Sequence, residues 1–299
     1  MTGPYFRRSL KLFSRQAINL NAKFCLRAST AVVAITLILV LIQYNFGHLL
    51  VYYLLDAASN SGVASGVQIT EEGLAAALRL DAAGIVLALQ MTWGELGAFV
   101  LESVLVFLIS VPVLYGALGH FLGLLHRRSA DLKSLFSWYT DLRLTLRSMG
   151  LELILSAVTW VVRVAGMVPG LALFAATINA AEGTFAARLS NLSPIVLLVG
   201  ILAAYFLSCQ LEPARYFLAA DPSLGVLGAL RTGVARLKGR RVDYFWFSLS
   251  FIGWEFFSTF TYGLGDIYLL PYRSLSTILY LGIVDPNQFQ NQQEVPRNV

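Results

Sequence analysis

TAVVAITLILVLIQYNFG, residues 30–47, continues as HLLVYYLL to Leu55, and no Asp, Glu, Lys or Arg interrupts the chain from Ala28 to Leu55. That run is longer than the roughly 20 apolar residues an α-helix needs to cross a bilayer. The basic segment ahead of it reaches to Arg27, too long for the leading region of a cleaved signal peptide, although the small residues Ala57, Ala58 and Ser59 follow. Comparable apolar runs recur along the chain. They predict an all-α fold, a polytopic transmembrane helical bundle of about six spans at 30–55, 96–125, 151–178, 194–211, 244–262 and 267–284. For the last segment, five spans or a re-entrant arrangement is the alternative to a full crossing.

Composition agrees with the spans. Hydrophobic residues make up 57% and charged residues 13% of the 299, and the mean hydropathy is +0.67, against about 45–50% and about 25% in soluble domains. Charge this scarce cannot cover a globule's surface. Spans and connections use the whole length, so the expected layout is a basic amphipathic segment (1–29), a single integral membrane domain (30–284) and a polar tail (285–299), with no separate soluble catalytic domain.

Orientation follows from the Lys and Arg of each connection, since cytoplasmic loops keep an excess of them. Before the first span stand Arg7, Arg8, Lys11, Arg15, Lys23 and Arg27; after the second, Arg127, Arg128, Lys133, Arg143 and Arg147; after the fourth, Arg215, Arg231, Arg236, Lys238, Arg240 and Arg241. The intervening loops hold Arg79 and Arg188. This alternation places both termini in the cytoplasm and the acidic loop 56–95 outside. The net charge of +5 is spread in blocks between apolar runs, which suits anionic lipid headgroups and gives nucleic acid no binding face.

Each basic block carries helical periodicity. Phe6, Leu10, Phe13, Ala17, Leu20 and Phe24 fall on one face of the first, opposite Arg7, Arg8, Lys11 and Arg15. Leu135, Tyr139, Leu142 and Leu146 repeat the pattern in the second, where Trp138 is expected at headgroup level. In the third, Asp221 and Pro222 suit an N-cap and first helical position before Val226, Leu230, Val234 and Leu237. The reading is three interfacial helices, each leading into a transmembrane hairpin.

From Gly116 onward the chain resembles a family of bacterial integral membrane proteins catalogued as domain of unknown function 975. The residues that carry the likeness are Asp221 and Pro222 after Ala220, then Lys238 and Gly239 in RLKGRR, then Ser250, Phe251, Gly253 and Trp254 in SLSFIGW. Gly263 and Gly265, Pro271 and Tyr272, and Tyr280 complete the C-terminal pattern, with SLFSWYTDLR, Trp160, Pro169 and Gly170 upstream. The resemblance implies a membrane location and a multi-span helical fold, and brings no activity, ligand or catalytic residue.

Ionisable residues within apolar spans are costly and therefore mark candidate sites, here Glu102, Arg163, Glu255 and Arg273, with Asp266 nearer an interface. Pairing of carboxylate with guanidinium between helices is the favoured reading over a transport path. His48, His120 and His126 lack metallopeptidase spacing, and Glu71, Glu72 and Arg79 lack that of an intramembrane protease. No phosphate-binding loop or nucleophile elbow occurs, and Cys25 and Cys209 form no disulfide framework. The expectation is a non-enzymatic membrane scaffold or accessory subunit without metal or cofactor, its partners the bilayer, anionic headgroups and another membrane protein. The alternatives are a small-solute or peptide transporter or export component and, behind it, an uncharacterised intramembrane enzyme.

Overall fold

The computed structural model describes residues 4–60, 93–126, 131–178 and 192–284. Residues 1–3, 61–92, 127–130 (with Arg127 and Arg128), 179–191 and 285–299 lie outside the described residues. So do most of the expected outer loop and all of the expected polar tail. Helix α1 (Pro4–Leu20) ends at a one-residue break before α2 (Ala22–Asn60). Then come α3 (Trp93–Leu125), a 3₁₀ segment (Leu132–Tyr139), α4 (Leu142–Ile178) and α5 (Ser193–Cys209). The C-terminal third is built of shorter pieces: α6 (Pro213–Ala220), α7 (Gly225–Arg236), α8 (Arg241–Leu249), α9 (Ile252–Phe260) and α10 (Asp266–Leu281). The described residues contain no strand.

Among the described residues, four helical stretches are long and apolar enough to cross a membrane: Ala22–Leu41, Ser103–Leu125, Leu142–Phe174 and Ser193–Ala220, the last covering α5 and α6. Pro112 and Pro169 fall inside α3 and α4, which run through them without a break. The six-span expectation is not confirmed at its last two members. Residues 244–262 are divided at Ser250 and Phe251 between two nine-residue helices, and α10 has sixteen residues, a rise of about 24 Å against a hydrocarbon thickness of about 30 Å. The apolar count in this region is sufficient for crossings; the length of continuous helix is not.

The chain divides into two compact units. The first takes Met1–Ile38, Leu108–Val158 and Phe206–Val299. Its core joins Leu10 and Ile18 of α1, Leu118 and Phe121 of α3, Tyr216 of α6, Tyr244 and Phe247 of α8, and Tyr272, Leu275 and Ile278 of α10. The 3₁₀ segment crosses α3 at Gly116, where a Cβ would overlap the Leu135 carbonyl. That close approach buries Trp138 against the Tyr115 ring, 5.0 Å between centroids. Trp138 is therefore a core residue and not the headgroup anchor its aromatic character suggests.

The second unit takes Leu39–Phe107 and Thr159–Tyr205. Here α4 meets α5 through Gly166 and Gly170, which face Gly200 and Leu197. A Cβ on either Gly166 or Gly200 would overlap the other's carbonyl oxygen, so backbone lies on backbone as in the small-residue crossings of membrane helices. The outward faces are apolar, with Trp160, Val161, Leu198 and Val199 exposed, the arrangement expected where lipid replaces water.

The three basic blocks are built differently, and the idea of one repeated unit fails. The first is a regular helix, the second a 3₁₀ segment followed directly by the start of α4, and the third a hairpin of α6 and α7 closed where Gly233 lies against Ala214. Asp221 does cap a helical start, accepting from the Ser223 N–H at 3.0 Å, but that of a 3₁₀ turn (Pro222–Leu224) ahead of α7.

Candidate functional site, a buried carboxylate and guanidinium network

Among the described residues of the first unit, two ion-pair groups are built on glutamates. In one, Glu152 of α4 is buried and accepts a forked pair from Arg215 of α6, Nε to Oε1 at 2.6 Å and Nη2 to Oε2 at 2.7 Å. The Tyr115 hydroxyl of α3 donates to the same Oε1 at 3.1 Å. Three elements are thus held at one carboxylate. The planar fork of Arg matches both carboxylate oxygens, which fixes orientation as well as adding energy.

In the other group Arg273 of α10 lies between two carboxylates. It bonds Glu212, just ahead of α6, at 3.0 Å, and Glu255 of α9 through its second terminal nitrogen. Tyr244 of α8 donates to Glu212 Oε2 at 3.4 Å. Glu212 keeps only 13% of its side chain exposed, Arg273 28% and Glu255 33%. Cations and anions at this depth satisfy each other, the condition under which buried charge is tolerated.

Helix α1 is fastened beside this network. Leu10, Ser14, Ala17 and Ile18 are buried, and the Ser276 hydroxyl of α10 donates to Ser14 at 2.9 Å. Three of its four basic side chains meet protein partners that the interfacial reading does not foresee, while Arg8 is exposed. Lys11 donates to the Ser250 hydroxyl and sits 4.2 Å from the centroid of the Phe251 ring. Arg15 lies 5.4 Å from that of Tyr272, and Arg7 pairs with Asp243 at 3.6 Å. Aromatic faces and a carboxylate offer these cations what headgroups otherwise would. Burial, followed by repulsion from Arg15 and Arg7, pushes the Lys11 ammonium down to about 8.

Of the residues singled out in the sequence, Glu255 and Arg273 meet in this network. Arg163 is exposed on α4 and makes no ion pair among the described residues. Asp266 is half-buried in the first turn of α10. Glu102 lies on α3, and its side chain falls outside the described ones. The C-terminal motif comes together in space: Phe251 packs edge-on against Tyr272 at 5.4 Å, Tyr272 stacks on Tyr268, and Trp254 lies over Tyr268 at 5.7 Å. Pro271 is buried inside α10 and Gly265 packs on Ser258. Gly239 takes φ +79° in the turn after α7, beside exposed Lys238, while Gly253 has nothing within 4 Å.

Three members of the network escape a reading of the sequence. Glu152 and Glu212 stand at the edges of apolar runs, and Arg215 falls among the loop cations that the charge pattern assigns to lipid. Arg215 is instead bound to Glu152, and two others of that kind serve the protein: Arg147 donates to the Pro222 carbonyl at 2.6 Å and Arg236 to that of Leu281 at 2.7 Å. The available signal is Glu152 alone, a carboxylate at the start of the expected span 151–178.

The chain belongs to the family described as Protein of unknown function (DUF975), whose model matches residues 84–287. No curated protein and no solved structure matches it.

Proposed function

From its place in a family without an assigned activity, we propose that this is a non-enzymatic membrane scaffold or accessory subunit. It resides in the bacterial cytoplasmic membrane with both termini inside, and binds anionic headgroups and a second membrane protein. The observation that carries this reading is the mutual pairing of charges: Glu152 with Arg215, and Arg273 with both Glu212 and Glu255. A carrier needs charged or polar groups turned to a path for its cargo, and these are turned to each other. The unbroken course of α3 and α4 through their prolines also favours a static frame.

Arg163 supports the partner. It lies exposed within an apolar helix beside Trp160, Val164 and Met167, also exposed, and charged groups on membrane helices are normally covered by protein. A photoreactive amino acid at position 160 or 163, activated in native membranes, is expected to give a discrete protein adduct that a photoreactive residue at Val199 does not give. Adducts with lipid alone at both positions would remove the partner from the proposal.

A further inference from the structure

The segment 252–265 follows a course that neither a crossing pair of helices nor a surface helix accounts for. Helices α8 and α9 run antiparallel to α10: Tyr244 and Phe247 meet Tyr280, Phe251 meets Tyr272, Trp254 meets Tyr268, and Ser258 meets Gly265. Towards the base of this hairpin the side chains are core, with Tyr244, Phe247, Phe251 and Tyr272 buried. Beyond Phe251 the outward face of α9 and the turn is apolar and open: Phe256, Phe257, Phe260, Tyr262 and Leu264 are all exposed, Phe260 at 80% and Tyr262 at 87%. No charged residue stands between Glu255 and Asp266.

The N–H groups of the turn are satisfied as hydrocarbon requires. Tyr262 and Gly263 take φ of 53° and 86°, which reverses the chain in few residues. Every backbone N–H from Thr261 to Leu269 finds an acceptor within the hairpin. Among them, Gly263 donates to the Ser258 carbonyl at 2.8 Å and Gly265 to the Thr261 hydroxyl at 3.0 Å. A loop in water has no need of this, whereas a turn among acyl chains cannot leave amides free. Asp266, the ionisable group at the tip, sits in the first turn of α10, the helix end whose dipole favours a carboxylate.

Reach sets the depth. The bond of Arg273 to Glu212 holds α10 at the level of the residues that follow α5. From Arg273 to Gly265 the helix advances about 12 Å, less than half of the roughly 30 Å of hydrocarbon.

We infer that residues 252–265 form a re-entrant hairpin, inserted into one leaflet from the side on which α8 begins and α10 ends, with the acyl chains of that leaflet as its partner. The inference rests on the membrane reading of the chain, and the test separates the two.

Single cysteines replace Phe257, Tyr262 or Leu264 in a chain carrying Cys25→Ala and Cys209→Ala, with Val199→Cys on the exposed face of α5 as reference. Each carries an environment-sensitive fluorophore in vesicles containing lipids with quenchers at known acyl depths. The expected result is strong quenching at Val199→Cys and Tyr262→Cys, with Phe257→Cys quenched best by shallower groups than Tyr262→Cys. An impermeant maleimide added outside intact cells should leave Tyr262→Cys and Leu264→Cys unlabelled. Labelling of either from outside would overturn the inference in favour of a full crossing. Absence of quenching at 257, 262 and 264 with quenching kept at Val199→Cys would overturn it in favour of a hairpin outside the bilayer. Loss of quenching at Val199→Cys would remove the membrane reading itself. Asp266→Asn should leave the depth of Tyr262→Cys unchanged.

Discussion

Replacing Arg273 by Met removes the guanidinium that Glu212 and Glu255 share and leaves two carboxylates facing one another. Deleting one partner of a fully buried pair costs about 3–5 kcal/mol. Here Glu212 is nearly enclosed while Glu255 and Arg273 keep about a third of their side chains open, so screening lowers the expected loss to about 2–3 kcal/mol. In Glu255→Gln the bond between Arg273 and Glu212 survives and the amide oxygen still accepts, so about 0.5–1 kcal/mol is expected. At about 2–4 °C per kcal/mol for a chain of this size the two variants should melt about 4–12 °C and about 1–4 °C below wild type. The buried thiols of Cys25 and Cys209 provide the assay, because a dye that fluoresces on reacting with thiols reports their exposure during heating in detergent micelles. The double variant Glu212→Gln, Arg273→Met should recover part of the loss, since the most enclosed unpaired carboxylate is gone. An Arg273→Met protein melting with wild type, or a Glu255→Gln protein falling further than Arg273→Met, would refute the reasoning.

Other consequences can be checked with the same protein. Gly200→Ala places a Cβ on the Gly166 carbonyl and should cost about 1–3 kcal/mol as the helices are forced apart, whereas Gly253→Ala, with open space around it, should melt close to wild type. The lowered Lys11 pKa means that folding penalises its charged form: the penalty is absent above the ordinary value near 10.5, grows as pH falls, and is complete below about 8. Docking of α1 should therefore tighten as pH rises through that window, read as slower thiol labelling of Ser14→Cys relative to exposed Ser9→Cys, and Lys11→Met should abolish the trend. Phe251→Ala removes the ring beneath Lys11 and a buried side chain, and should speed labelling of Ser14→Cys at every pH with a loss of about 3–5 kcal/mol in overall stability.

The crossing helices are readable because hydrophobic length alone decides them; the expected spans near 30–55, 96–125, 151–178 and 194–211 lie within or nearly coincide with observed helices. The last pair is not confirmed, for the same reason. Apolar content between 244 and 284 suffices for two spans, but the interruption at Ser250 and Phe251 is a backbone event with no Pro or Gly at the break to announce it. Amphipathic periodicity finds α1 correctly and does not foresee its protein contacts, since a pattern of basic and apolar residues does not say that the Phe251 and Tyr272 rings will meet Lys11 and Arg15. Glu255 and Arg273 are visible as charges within apolar runs. Their third member, Glu212, is not, because a carboxylate at the end of a span looks like any loop residue until the fold brings Arg273 to it.

The central claim of the proposal is that Arg273, Glu212 and Glu255 seal against each other and leave no aqueous path to that network. Thiol access beside the Arg273 network tests it most directly. Ser258 of α9 and Ser274 and Thr277 of α10 are all buried on the helices that carry the network, and each is replaced in turn by Cys in the chain carrying Cys25→Ala and Cys209→Ala. Intact membranes are then treated from either side with a small, water-soluble methanethiosulfonate. The account predicts no modification at any of the three until the protein is unfolded. Rapid modification of Ser258→Cys or Ser274→Cys in folded protein, from either side, would mean that water reaches Arg273 and would contradict it.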